Sequence, residues 1–221
     1  LASMIVNAGK AEYLRPARFD YDVGERASSR HYPDYDVSKP TEKHRRIQRL
    51  VALWQMTYVG PPMIYYGTEA GMWGGDDPDD RMPMFWDDLG EYANRKSHPL
   101  GKSRPLDKVA VDRELHEYYR DVIRMRNETK SLRRGSFKVL EANDDQSVLV
   151  FAREFENEKL IVVLNRSENP STVEVKLDVT DGDSKSETLL STPGIELTTA
   201  RSTSKLSVSI SGTSGAVIRV R

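Results

Sequence analysis

The sequence contains no cysteine. That excludes a disulfide framework, a thiolate metal site and a cysteine nucleophile, and it leaves the redox compartment open. Excess charge of either sign is also missing: 33 Lys and Arg stand against 34 Asp and Glu. Such a balance excludes the basic surface that would recruit nucleic acid or an anionic membrane. No apolar run approaches the ~20 residues of a helix that spans a bilayer, and Leu1 opens the chain without a signal-peptide pattern. Aromatic residues nearly vanish from the second half. All three Trp, all ten Tyr and all seven Met precede residue 126, and after residue 130 only Phe137, Phe151 and Phe155 remain. This shift sets a boundary near residues 128–136, where Thr129, Ser131 and Gly135 break the pattern.

What the second half does have is alternation. Ser147–Glu154 and Lys159–Asn165 flank a polar turn at Glu156, Asn157 and Glu158, a hairpin pattern. Thr172–Leu177, Lys205–Ile210 and Ala216–Val220 repeat it, and residues 180–205 read as long polar hairpins. Short alternating strands between Gly, Asp and Ser turns predict an antiparallel sandwich.

The first half has other periods. Ile47, Leu50, Val51, Leu53, Trp54 and Tyr58 predict a helix over 41–58, with Thr41 at its cap and His44 in place of the usual acidic partner. Gly60-Pro61-Pro62 ends it, and the unbroken apolar run Met63–Tyr66 predicts a strand buried on both faces, as in a parallel sheet covered by helices. A second helix is expected over 112–129. Between them, residues 67–110 form one long irregular stretch, and loops of that length are usually functional.

The Gly67–Leu89 part of this stretch combines Trp73 and Trp86 with an acid cluster closed by Arg81. Flat apolar rings against a pyranose face, with planar charged groups on its hydroxyls, are what sugar recognition requires. A Ca²⁺ loop is the competing use of Asp76, Asp77, Asp79 and Asp80. Counted from Asp77, though, position six is Met82 and position twelve is Asp88, where an EF-hand needs Gly and Glu. A solvated acidic turn is the plain alternative. None of the acids has a partner at a spacing that defines a catalytic pair, and His31, His44, His98 and His116 are expected to be solvent-exposed rather than catalytic.

The run Gly60-Pro-Pro-Met-Ile-Tyr-Tyr-Gly-Thr-Glu-Ala-Gly-Met72, followed by Asp77-Pro-Asp-Asp-Arg-Met-Pro-Met84, resembles the α-amylase family of glycoside hydrolases around its eighth barrel strand. Within that family it is most similar to the neopullulanase and cyclomaltodextrinase group. Ser131–Gly135, Ser147–Arg153 and Leu160–Asn165 resemble the joint to the C-terminal β-domain and two of its strands. The resemblance implies residues 1–130 as the C-terminal segment of a catalytic (β/α)8 TIM barrel and residues 131–221 as an antiparallel β-sandwich domain. It implies a retaining hydrolase of α-1,4, and as a second option α-1,6, glucosidic bonds in maltooligosaccharides, cyclodextrins or pullulan. Such enzymes set a nucleophile and an acid/base carboxyl about 5 Å apart, and in the family these acids, with a third Asp, follow earlier barrel strands.

The expectation for this stretch is therefore no catalytic residue, no cofactor and no metal. Asp77 and Arg81 are carried over as substrate-binding groups on sugar hydroxyls, although their i, i+4 spacing also suits a plain ion pair. Trp73 is a third substrate-binding candidate, with core packing as its alternative, and Glu69 is expected to be framework. The implied partners are an α-glucan oligosaccharide and the remainder of the barrel, with a homodimer of the parent as a further option, although dimers in this group rest largely on an N-terminal domain. A complete barrel takes about 250 residues, so Leu1 is expected to be a cut through an enzyme, inactive alone. The rival reading is a non-catalytic carbohydrate-binding or interaction module built from amylase-like sequence.

Overall fold

The computed structural model of the chain describes residues 1–7, 35–75, 81–86, 88, 108–177, 185–202 and 204–220. The contacts divide the chain into two compact units, Leu1–Gln48 with Met63–Glu117, and Arg49–Pro62 with Tyr118–Arg221. Four helices are described: α1 (Ala2–Asn7), α2 (Glu42–Thr57), α3 (Arg113–Glu128) and α4 (Lys130–Arg134). No helix among the described residues is long and apolar enough to cross a membrane. The two long ones follow the 3.6-residue stripes, and both have side-chain caps. The Thr41 backbone N–H donates to His44 Nδ1 at 3.2 Å, so an imidazole takes the part of the capping-box acid. At α3, Asp112 Oδ1 accepts the Leu115 N–H at 3.0 Å.

The larger unit is a sandwich of two antiparallel sheets. The strands are β1 (Ser136–Asn143), β2 (Val148–Phe155), β3 (Glu158–Asn165), β4 (Ser171–Lys176), β5 (Ser186–Ser191), β6 (Leu197–Arg201), β7 (Lys205–Ile210) and β8 (Ser214–Val220). One sheet has the order β1-β2-β3-β8-β5 and the other β4-β7-β6. Alternation fixes which face each residue takes. Val150, Ile161 and Ile218 face Val173, Leu206 and Val208 across the sandwich core.

The intervening residues of β2, β3 and β8 are buried as well: Phe151, Val162 and Val217 lie side by side in register and have no exposed surface. The three central strands are thus covered on both faces, which explains their near-continuous apolar runs. Leu50 and Leu53 of α2 supply part of that second cover. They approach Gly215 so closely that a Cβ there would lie 2.8 Å from Leu53 Cδ2 and 3.0 Å from Leu50 Cδ1.

Charged residues also enter this unit's interior. Arg153 is 1% exposed, and its guanidinium donates to the carbonyls of Thr57 at 2.7 Å, Ser136 at 2.9 Å and Gly135 at 3.1 Å. Arg126 donates to Met56 and Gly60 carbonyls, both at 2.6 Å, and to Tyr58 at 3.2 Å. Together they satisfy the carbonyls that α2 leaves open at its C-terminus, where the helix dipole favours cations.

In the other unit, the expected strand at Met63–Tyr66 is not formed. Residues 61–65 are irregular and a turn follows at 66–71. Met63, Tyr65 and Tyr66 are 79%, 50% and 43% exposed. An apolar run becomes a buried strand only when neighbours supply backbone partners and cover its faces, and the faces of this run are largely exposed.

Candidate functional site

The loop that carries the sequence-selected residues starts from a built turn. Arg45, on the first turn of α2, donates to the Gly71 carbonyl at 2.6 Å and to Gln48 Oε1 at 2.6 Å, and its Nε pairs with Asp112 at 3.1 Å. Gln48 in turn donates to the Thr68 carbonyl at 3.0 Å. These bonds hold residues 67–72 against α2, while the Asp112 N–H bonds the Ala70 carbonyl at 3.0 Å. Gly71 is required twice over. Its φ is +76°, and a Cβ would sit 2.6 Å from the Asp112 Cβ.

Beyond the turn the chain closes on a small apolar cluster of Ala2, Trp73, Phe85 and Val109. Trp73 is 4% exposed and meets Phe85 edge-on, with centroids 6.0 Å apart. Lys39 Nζ lies 5.4 Å from the indole centroid, within cation–π range. The expectation that Trp73 offers a face to sugar therefore meets a ring already occupied on the inside of the loop. The physical reason is area: an indole beside Phe85 and Met72 gains more by leaving water than by facing it. Trp86 takes the opposite place, 57% exposed.

Tyr66 ties the far end of the loop, its hydroxyl donating to the Met82 carbonyl at 2.9 Å. Arg81, the next residue back, is exposed. Asp77 and the rest of the acid cluster at 76–80 lie outside the described residues, as do the Ca²⁺ alternative and the Asp77–Arg81 pairing. Glu69 has one carboxylate oxygen buried with no hydrogen-bond partner among the described residues. The structure thus brings Trp73 and Arg81 into one loop on different sides of it. Sequence reasoning missed Arg45, which fixes that loop. Its only signal was position, on the helix that precedes the Gly-rich run.

Comparison with known proteins adds to this geometry. A family described as maltogenic amylase, C-terminal domain, matches residues 137–190, which lie across β1 to β5. The chain is 34% identical over 130 residues to a cyclomaltodextrinase of Geobacillus thermopakistaniensis (strain MAS1), covering 59% of this chain and 19% of that protein. It is 34% identical over 134 residues to neopullulanase 2 of Thermoactinomyces vulgaris, covering 61% and 20%. A solved cyclomaltodextrinase superposes with a TM-score of 0.59 at 26% identity, over 79% of this chain and 26% of the other. The chain thus spans about one fifth of the length of the curated relatives it matches. The antiparallel sandwich thus carries the match to the maltogenic amylase C-terminal domain, and the chain is similar in sequence to cyclomaltodextrinases and a neopullulanase.

Proposed function

We propose that this chain supplies the C-terminal part of an α-glucan hydrolase: residues 1–130 as the last segment of its (β/α)8 barrel and residues 131–221 as its β-sandwich. The reading is carried by the 34% identity to cyclomaltodextrinase and neopullulanase. It is supported by the apolar run Met63–Tyr66, whose Met63, Tyr65 and Tyr66 side chains are exposed. In this reading earlier barrel strands cover it and bring the nucleophile and the acid/base carboxyl, so the chain alone does not cleave glucan. The bonds attacked are α-1,4, with α-1,6 as a second option, in maltooligosaccharides, cyclodextrins or pullulan, through a covalent glycosyl-enzyme.

Arg81 and Asp77 hold the sugar. A guanidinium presents a planar fork of donors to hydroxyl oxygens, and a carboxylate accepts from hydroxyl hydrogens, so the pair reads both sides of a diol. Trp73 lies beneath, as the buried ring on which the loop rests. The test is Arg81→Ala in the enzyme extended through its upstream codons. Loss of hydrogen bonds to a charged group should lower kcat/KM on maltotriose by about 1.5–3 kcal/mol of transition-state binding. Unchanged kinetics on maltooligosaccharides of every length would remove Arg81 from the site, and pullulan or maltotriose hydrolysis by the 221-residue chain alone would overturn the division of labour.

A further inference from the structure

A recess lies on the sandwich unit, in residues apart from the loop that carries Trp73 and Arg81. It is an open cleft of about 470 Å³ between the α3–α4 junction (Glu128, Lys130) and the β2–β3 turn (Phe155, Glu156, Asn157), with Glu158 and Arg219 at its base. That volume falls in the range, about 300–1,000 Å³, that small-ligand sites occupy. The base is already neutralised. Arg219 donates to Glu158 Oε1 at 3.1 Å and to Glu187 Oε2 at 3.0 Å, and Glu158 Oε2 accepts the Ser131 N–H at 3.0 Å. Those groups make a rigid floor and hold each other.

The rim is different. The side chains of Glu128, Lys130, Glu156 and Asn157 are exposed and make no hydrogen bond or ion pair among the described residues, and beside them stands the half-buried ring of Phe155. Two carboxylates, an amide and an ammonium mix both signs, which disfavours a phosphate and gives a metal ion too few ligands. The set suits a neutral ligand with many hydroxyls and one apolar face: acceptors and donors for the hydroxyls, a ring for the C–H face.

The turn itself supplies a second observation. Phe155 pairs with Glu158, so the loop has two residues, and Glu156 occupies its first position with φ +52°. Two-residue hairpins favour Gly, Asn or Asp at such positions, and a longer side chain in left-handed geometry costs about 1–2 kcal/mol. A strained residue that folding alone would replace by glycine directs attention to its side chain, and here that side chain lines the cleft.

We propose that this cleft is an accessory binding site for a neutral oligosaccharide, with Phe155 as the ring platform and Glu128, Glu156 and Asn157 as hydroxyl partners. Its preference for a hydroxyl-rich neutral ligand comes from the cleft; the choice of an α-glucan rests on the function proposed above. The test is saturation-transfer NMR on maltotriose and on cellotriose with the full 221-residue chain. Three proteins are compared: the unaltered chain, Glu156→Gly, and the double variant Glu128→Gln with Asn157→Ala. Maltotriose should bind the unaltered chain and about tenfold more weakly each variant, since lost hydrogen bonds each count about a factor of ten or less. Glu156→Gly should at the same time unfold at an equal or higher temperature, which a merely structural Glu156 could not combine with lost binding.

Binding of cellotriose alone, with the same loss in the variants, supports the cleft while counting against the α-glucan reading. Equal binding of maltotriose to all three proteins moves the site elsewhere and overturns the proposal. Absence of binding by either sugar overturns it too.

Discussion

In the sandwich unit the buried Arg153 is held by three backbone carbonyls, whereas in the other unit the nearly buried Arg45 faces a carboxylate, Asp112. Each guanidinium also reaches a carbonyl distant in sequence, Thr57 for Arg153 and Gly71 for Arg45. The difference lies in how the charge is balanced. Arg45 has a formal anion, so its network is an ordinary ion pair with added hydrogen bonds. Arg153 has, among the described residues, only carbonyl dipoles, those of the helix end and of the entry to β1. Burial lowers its pKa, and the nearby Arg126 lowers it further. Carbonyl dipoles at a helix C-terminus are thus asked to stabilise two neighbouring cations, and the geometry gives each of them three acceptors. The comparison teaches that a buried arginine here is a backbone fastener first and a charge second.

That claim breaks most readily at Arg153. Arg153→Met keeps the bulk and removes the donors, leaving three carbonyls short of a partner, that of Thr57 buried and those of Ser136 and Gly135 part-buried. Each buried group so orphaned costs about 1–3 kcal/mol, and we expect a loss of about 3–4 kcal/mol, read as a lower urea midpoint. Arg153→Lys should recover only part of it, because one ammonium cannot reach three carbonyls spread around a planar fork. Full recovery by lysine would mean that charge, not the fork, holds the helix end.

The two units can also be set against each other through single methyl groups. At Gly71 an alanine meets both a left-handed φ and the Asp112 Cβ, which is fixed by its cap and its ion pair. At Gly215 an alanine meets only the tips of Leu50, Leu53 and Leu164, which can turn aside. Backbone strain of about 1–2 kcal/mol added to overpacking of about 1–3 kcal/mol makes Gly71→Ala the costlier change, about 2–4 kcal/mol against about 1 kcal/mol for Gly215→Ala. Hydrogen exchange separates them: Gly71→Ala should release the Met72 amide, which donates to the Gly67 carbonyl, and leave the β8 amides protected. The opposite pattern would show that the turn is soft and the sheet face rigid.

How much of this was readable beforehand follows from the same physics. The helices over 42–57 and 113–128 and the strands β2, β3, β4, β7 and β8 were legible because each buries one face or both and so imprints a period on the sequence. β1 and β6 lie at sheet edges, and β5 has a bulge between Thr188 and Leu190, so their burial is partial and their alternation blurred. Met63–Tyr66 reads as a strand, yet it is not one here, since pairing belongs to two segments and sequence displays one. At the loop, the motif singled out Arg81 as a candidate, and the structure adds that it is exposed. That Trp73 is buried and Trp86 exposed was not legible, because two tryptophans in one loop differ only in what packs on them. Arg45, Arg126 and Arg153 were missed for a plainer reason: composition assigns arginine to the surface by default.

The smallest expected effect concerns Glu158, the carboxylate that shares Arg219 with Glu187. Burial pushes its pKa up, but the Ser131 hydrogen bonds and the Arg219 guanidinium outweigh that and hold it below the usual value of 4.5. A carboxyl with a lower pKa in the folded than in the unfolded chain binds its proton less readily when folded. It therefore adds stability above pH 4.5, and that stability is lost as the pH falls through the folded-state value. The group is partly exposed and its partner is shared, so solvent screening limits the contribution to under ~1 kcal/mol. Glu158→Gln should accordingly lower the thermal midpoint slightly at neutral pH and not at all once the pH is well below 4.5. Melting curves of the two proteins across that interval should converge on the acid side. Curves that stay parallel would show that Glu158 acts through shape alone, and would place the sandwich, like Arg153 within it, on backbone hydrogen bonds rather than on charge.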